Sequence, residues 1–153
     1  MRSIKEIGII SDTHGRLRPE AILALEGCEL ILHAGDVEGD CHLADLQEIA
    51  PTFAVAGNCD EDSDLPLFLY KEISSQRILM YHGHKRVDEN QFNPTIVITG
   101  HTHIPKIESA TGVLRINPGS AGKRRFNKPT TLARLTLNGA NAQARIIDLL
   151  PAV

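Results

Sequence analysis

Ile7-Gly8-Ile9-Ile10-Ser11-Asp12-Thr13-His14-Gly15 is the stretch from which the rest of the chain can be read. A short apolar run rich in β-branched residues, bounded by Gly and Asx, predicts a buried strand. It ends in an Asp-x-His pair, and in an extended loop residues two apart point the same way. The pattern recurs downstream. Leu30-Ile31-Leu32 leads through His33-Ala34 to Gly35-Asp36, and Phe53-Ala54-Val55-Ala56 leads to Gly57-Asn58-Cys59-Asp60. Ile78-Leu79-Met80-Tyr81 runs into His82-Gly83-His84, and Thr95-Ile96-Val97-Ile98-Thr99 into Gly100-His101-Thr102-His103.

Between the first two runs, Pro19 to Gly27 has a Pro near its start and a Gly at its end, which predicts a short helix. Leu43, Leu46, Gln47 and Ala50 set a second helical spacing before Pro51. Strand–helix alternation predicts α/β with strands parallel or mixed. Ligands in such sheets bind beyond the C-terminal strand ends, where these polar motifs fall. Further on, Ile104–Glu108 and Val113–Ile116 flank Ser109-Ala110-Thr111-Gly112, while Thr131–Leu137 and Ala142–Leu149 flank Asn138-Gly139. Both read as antiparallel hairpins. The expectation is one domain over 1–153, two mixed β-sheets packed face to face as a sandwich and flanked by helices.

Composition narrows the function. Net charge is −3 with His neutral, so no global field draws a polyanion. Aromatics make up 4% with no Trp, which gives no stacking platform for single-stranded nucleic acid. No apolar run is long enough to span a membrane, and the amino terminus lacks the pattern of a signal peptide. Three cysteines, Cys28, Cys41 and Cys59, share no pairing spacing and read as reduced thiols of a cytoplasmic protein, with Cys28 and Cys41 as packing residues.

The strand-end donors are two carboxylates (Asp12, Asp36), one amide (Asn58) and four imidazoles (His14, His82, His101, His103). This mixed set suits Mn²⁺, Fe²⁺, Ni²⁺ or Zn²⁺ and exceeds what one four-coordinate zinc uses. Two ions sharing one carboxylate would leave positions for water and substrate. They would also keep the centre positive enough to attract a phosphate ester. Glycines beside the donors permit the sharp turns of a crowded site.

Taken together, Asp12-x-His14, Gly35-Asp36, Gly57-Asn58, His82 and Gly100-His101-Thr102-His103 resemble the calcineurin-like metallophosphoesterases in order and spacing. The short chain, Gly57-Asn58-Cys59-Asp60, His82-Gly83-His84 and Asn117-Pro118-Gly119-Ser120 are similar to its small YfcE- and Vps29-like phosphodiesterase branch. The resemblance implies that Asp12, His14 and His103 hold one ion, that Asn58, His82 and His101 hold a second, and that Asp36 bridges. It also implies two divalent metals per chain, manganese first, with nickel, zinc, iron or magnesium as alternatives. The expected reaction is hydrolysis of a small phosphodiester or nucleotide-like substrate by in-line attack of a bridging hydroxide, with Asp36 and Asn58 as catalytic groups.

Two departures stand out. Cys59 occupies the place where many larger relatives carry a His, and Lys85–Pro94, within the short span between His82 and Gly100, is too short and polar for much of the longer helix that relatives usually have there. Candidate substrate contacts are Asn58, His84 and two arginines, Arg124 and Arg125, in the basic run Lys123–Lys128. His33 is expected to be buried and hydrogen-bonded, and His42 to be surface. The stretch Leu65–Tyr70 is a candidate face for a partner or a second copy of the chain. The competing readings are a phosphomonoesterase, or a binding and scaffold protein with little catalysis.

Overall fold

The computed structural model describes residues 4–39, 41–122 and 128–150. Strands β1 (Ile4–Ile10), β2 (Leu30–His33) and β3 (Thr52–Ala54) run parallel, joined by helices α1 (Pro19–Ala24) and α2 (Cys41–Ile49). Then come β4 (Phe68–Ile73), β5 (Gln76–Tyr81), β6 (Ile96–Ile98), β7 (Lys106–Ala110), β8 (Val113–Asn117), β9 (Thr131–Asn138) and β10 (Asn141–Asp148). One sheet has the order β10-β9-β1-β2-β3, the other β4-β5-β6-β8-β7, and each mixes parallel and antiparallel pairs.

The sheets face each other across a core of Ile7, Ile9, Leu32, Ile78, Met80, Ile96, Ile98, Ile116 and Leu135, all buried. A fully buried side chain of this size contributes roughly 1.5–3 kcal/mol. Because side chains alternate along a strand, β1 sends Ile7 and Ile9 into the sandwich and Ile10 outward. That outer face is covered by Ala21 and Leu25 of the first helical turn region and by Leu46 and Ala50.

The helices thus flank one sheet. On the outer face of the other lies the segment between β5 and β6, which forms only a 3-10 turn at Glu89–Gln91, in keeping with its short polar sequence. Glu89 accepts from the Tyr81 hydroxyl and from the Arg115 guanidinium, while Phe92 packs on Phe68 and Tyr70.

Element ends refine the expected bounds. α1 stops at Ala24, and Gly27 sits at φ 81, where left-handed backbone ends the helical path. In the last hairpin Asn138 stays in the strand, so the turn is Gly139-Ala140. The hairpin β4–β5 is an addition: Phe68, Leu69 and Tyr70 of the apolar stretch are strand residues, with Leu67 and Phe68 still 39% and 41% exposed. Among the described residues no helix is long and apolar enough to cross a membrane.

Candidate metal centre

β1, β2, β3, β5 and β6 all point their C-terminal ends toward one edge of the sandwich, so the five loops that follow them meet there. The loops after β1 and β2 pair by backbone: Asp12 N–H donates to Gly35 O at 2.9 Å, His14 N–H to Asp36 O at 2.9 Å, and Gly15 N–H to Val37 O at 2.8 Å. Gly100 N–H donates to His82 O at 3.0 Å and so joins the loops after β5 and β6.

All seven predicted donors come together. His103 Nε2 lies 3.2 Å from Asp12 Oδ1, and His14 Nε2 and His82 Nε2 each lie 3.8 Å from the same oxygen. Asp36 Oδ2 lies 3.6 Å from His14 Nε2 and 3.3 Å from His82 Nε2, between the two groups of donors. Asn58 Oδ1 is 3.1 Å from His82 Nε2 and 3.2 Å from His101 Nδ1. Asp12, His14 and His103 form one set whose ligand atoms fall within 4.8 Å of one another, and Asp12, Asp36 and His82 form another. Cys59 joins His14 and Asp36 at the same spacing, with its thiol at the exposed mouth.

Strain marks the site. Asp12 (φ 55), His14 (φ 48), Asp36 (φ 57), His101 (φ 72) and His103 (φ 64) all hold left-handed backbone, which non-Gly residues rarely adopt. Such conformations persist only where the surroundings over-determine them. Asp12 Oδ2 is fully engaged, accepting from Ser11 Oγ at 2.6 Å and His101 N–H at 3.1 Å. Its partner oxygen Oδ1 is buried without a hydrogen bond, as is His14 Nε2.

The ionisation of these groups is mutual. Burial would raise the Asp36 carboxyl, but the His82 imidazole and the Cys59 N–H outweigh it and hold Asp36 well below the usual carboxylate range. Burial likewise pulls His82 down, yet its bonds to Asp36 and to the Ala34 carbonyl, with Asp12 nearby, leave it raised. Cys59 is pushed up to about 11, by desolvation first and then by Asp36 and Glu38. His84 is lowered, by burial first and then by His82, Lys85 and His101. Its ring stands 5.4 Å from that of His82 and 6.4 Å from that of His101.

His33 is fully buried as expected. It accepts from Gly35 N–H at 3.1 Å on Nδ1 and meets Thr13 Oγ1 at 2.9 Å on Nε2, a second tie between the first two loops. Cys28 is buried in the core beneath the helices. Arg124 and Arg125, and the side chains of Cys41 and His42, lie outside the described residues.

Several supports were not singled out by spacing. Asn117 donates to Gly100 O at 3.0 Å and to Thr102 Oγ1 at 3.1 Å, holding the His101–His103 loop from below. Ser120 Oγ donates to Asp12 O at 3.1 Å. Asp60 accepts from Gly57, Val37 and Glu38 N–H. Its position three residues after Gly57 is the local signal, since Asp folds a turn back onto nearby backbone N–H groups.

The chain is similar to several known proteins. A protein of Methanothermobacter thermautotrophicus named probable metallophosphoesterase is 36% identical over 157 residues, covering 92% of this chain and 91% of the relative. The phosphodiesterase YfcE of Escherichia coli K12 is 29% identical over 154 residues, covering 82% and 84%. Vps29 of Entamoeba histolytica, solved with zinc, superposes with a TM-score of 0.76 at 22% identity, over 95% of this chain and 99% of that one, and so shares the fold. The family model of the calcineurin-like phosphoesterase superfamily domain matches residues 6–140, and the chain belongs to that superfamily.

Proposed function

We infer that this protein is a phosphodiesterase that works with two divalent metal ions on a small phosphodiester or nucleotide-like substrate. One observation carries the reading. Asp12 is 0% exposed, its Oδ1 accepts no hydrogen bond, and imidazole nitrogens of three histidines approach that oxygen at 3.2–3.8 Å. A buried, unsatisfied carboxylate oxygen is costly, and a cation held among these nitrogens removes the cost. The donor set therefore fits divalent metal.

Asp12, His14 and His103 would hold one ion, and Asn58, His82 and His101 the other. Asp36 would be shared, since its Oδ2 faces both groups. Carboxylate, amide and imidazole together suit manganese, with nickel, zinc, iron or magnesium as alternatives. When bound, such ions supply Lewis-acid neutralisation of phosphoryl charge and a lowered water pKa.

The chain's own residues do the rest. Asn58 turns its Oδ1 toward His82 and His101; its amide nitrogen donates one N–H to Cys59 Sγ at 3.6 Å and has a second that can donate to a phosphoryl oxygen. Asp36 keeps the two donor groups in register, and His84 stands at the edge as a weaker substrate contact. Cysteines without pairing spacing support a reducing, cytoplasmic setting.

The test is a panel of aryl phosphodiesters, aryl phosphomonoesters and cyclic nucleotides assayed with Mn²⁺, Ni²⁺, Zn²⁺ and Mg²⁺, for the wild type and Asp36→Asn. Diesters should turn over fastest, and Asp36→Asn should lose at least one ion together with about 10²-fold or more in kcat. Full metal content with undiminished diester turnover in Asp36→Asn would refute the shared-carboxylate role. Faster monoester turnover would move the reading to a phosphomonoesterase, and metal binding without any turnover to a binding protein.

A further inference from the structure

The side chain of Glu38 closes over His14, and its carboxylate oxygen Oε2 meets the ring nitrogen Nδ1. Backbone pairing fixes the Cα of His14 but leaves the ring free to swing about its side-chain torsions. A carboxylate only accepts, so the shared hydrogen sits on Nδ1, and in the neutral ring the lone pair is left on Nε2. That Nε2 is the atom buried without a hydrogen-bond partner, 3.6 Å from Asp36 Oδ2 and 3.8 Å from Asp12 Oδ1.

Glu38 is held for this task from behind. Its backbone is left-handed at φ 53, and its N–H donates to Asp60 Oδ1 at 2.9 Å. Asp60 is 6% exposed and also takes Val37 N–H at 3.1 Å and Gly57 N–H at 2.9 Å. It therefore ties the loop of Asp36 to the loop of Asn58 and turns Glu38 back over His14. The Glu38 carboxylate is 41% exposed, and a pair so open to water adds little stability to offset left-handed backbone. Stability alone gives no reason for the arrangement.

The geometry assigns Glu38 as a positioning residue: it sets the tautomer and the direction of the His14 ring, so that Nε2 is presented as a metal ligand. This rests on the metal centre proposed above. Carboxylates placed behind a ligating histidine typically account for about 10–100-fold in metal affinity.

Co²⁺ titrations of chelator-treated protein, read by visible absorption and by calorimetry, test it on the wild type, Glu38→Ala, Glu38→Gln and Glu61→Ala. The dissociation constant of one ion should rise about 10–100-fold in Glu38→Ala and that of the other should stay put. Glu38→Gln keeps an acceptor oxygen and should recover most of the loss. Glu61→Ala removes a nearby exposed charge and should bind as the wild type does. Wild-type constants in Glu38→Ala overturn the assignment. So does a Glu38→Gln no better than Glu38→Ala, because charge and not positioning would then be at work. A wild-type chain that binds fewer than two ions sinks the metal-centre reading itself, a separate failure.

Discussion

At Gly57 a methyl group would stand 2.2 Å from Asp36 Oδ1 and 2.4 Å from the Asp36 backbone nitrogen. Neither atom can retreat, since Oδ1 accepts from Cys59 N–H at 2.9 Å and the backbone is held by the paired loops. The glycine is required here by close approach and not by a left-handed backbone. Gly57→Ala is therefore expected to fold with a loss of about 1–3 kcal/mol, the usual cost of overpacking, and to push Asp36 off its position between His14 and His82. Urea unfolding and a metal titration check this, and wild-type values in both would show that the contact is soft. At this scale the donors were legible because each closes an apolar run, and a polar residue at a buried strand end needs a reason. Asp60, Glu38, Ser11 and Asn117 were not legible as supports. Each is an ordinary turn residue in sequence, and each reaches a loop distant along the chain, Ser11 through the Gly35 carbonyl.

Among the elements, the segment over β5 and β8 is pinned by one carboxylate. Glu89 accepts from Tyr81 Oη at 2.6 Å and from the two terminal nitrogens of Arg115 at 3.1 and 2.6 Å. The Arg115 guanidinium, against an opposing effect of burial and with help from Tyr81, holds the Glu89 carboxyl below its ordinary value; burial and then the Glu89 carboxylate, against an opposing effect of Arg115, push Tyr81 up to about 12. A carboxyl depressed in the folded state stabilises fully above its unfolded pKa of about 4.3, and that contribution is lost as pH falls through the folded value. The stability difference between wild type and Glu89→Gln should accordingly be constant near neutrality and shrink as pH drops below about 4.3. Urea midpoints of both proteins across that range measure it, and a pH-independent difference would mean that Glu89 acts through shape alone. The strands that end at the site and both C-terminal hairpins could be read from apolar runs and Gly-containing turns. The β4–β5 hairpin could not, because its turn is Ser74-Ser75 at φ 51 and 70, a double left-handed turn built without the Gly or Asn that usually announces one.

Across the whole molecule, the site is also a joint. Asp12, His14, Asp36 and Asn58 follow strands of the helix-covered sheet, whereas His82, His101 and His103 follow strands of the other. Between the sheets the core contact is apolar and non-directional; at this edge it is a polar cluster whose donors come from both sides. Ions bound there would link the two sheets and add their binding free energy to folding, because the unfolded chain offers no preformed site. At a free concentration of about 100 times the dissociation constant, each ion adds about 2.7 kcal/mol. A domain of this length gains roughly 2–4 °C in Tm per kcal/mol, so Mn²⁺ should raise the melting midpoint of chelator-treated protein by at least about 5 °C. Removing donors from either side, as His14→Ala or as His101→Ala, should reduce the rise by similar amounts, since each variant weakens one end of the same joint. A midpoint indifferent to Mn²⁺, or one lowered only by the variant on the helix-covered side, would mean that the cations do not bridge the sheets, and that the apolar core alone holds the sandwich shut.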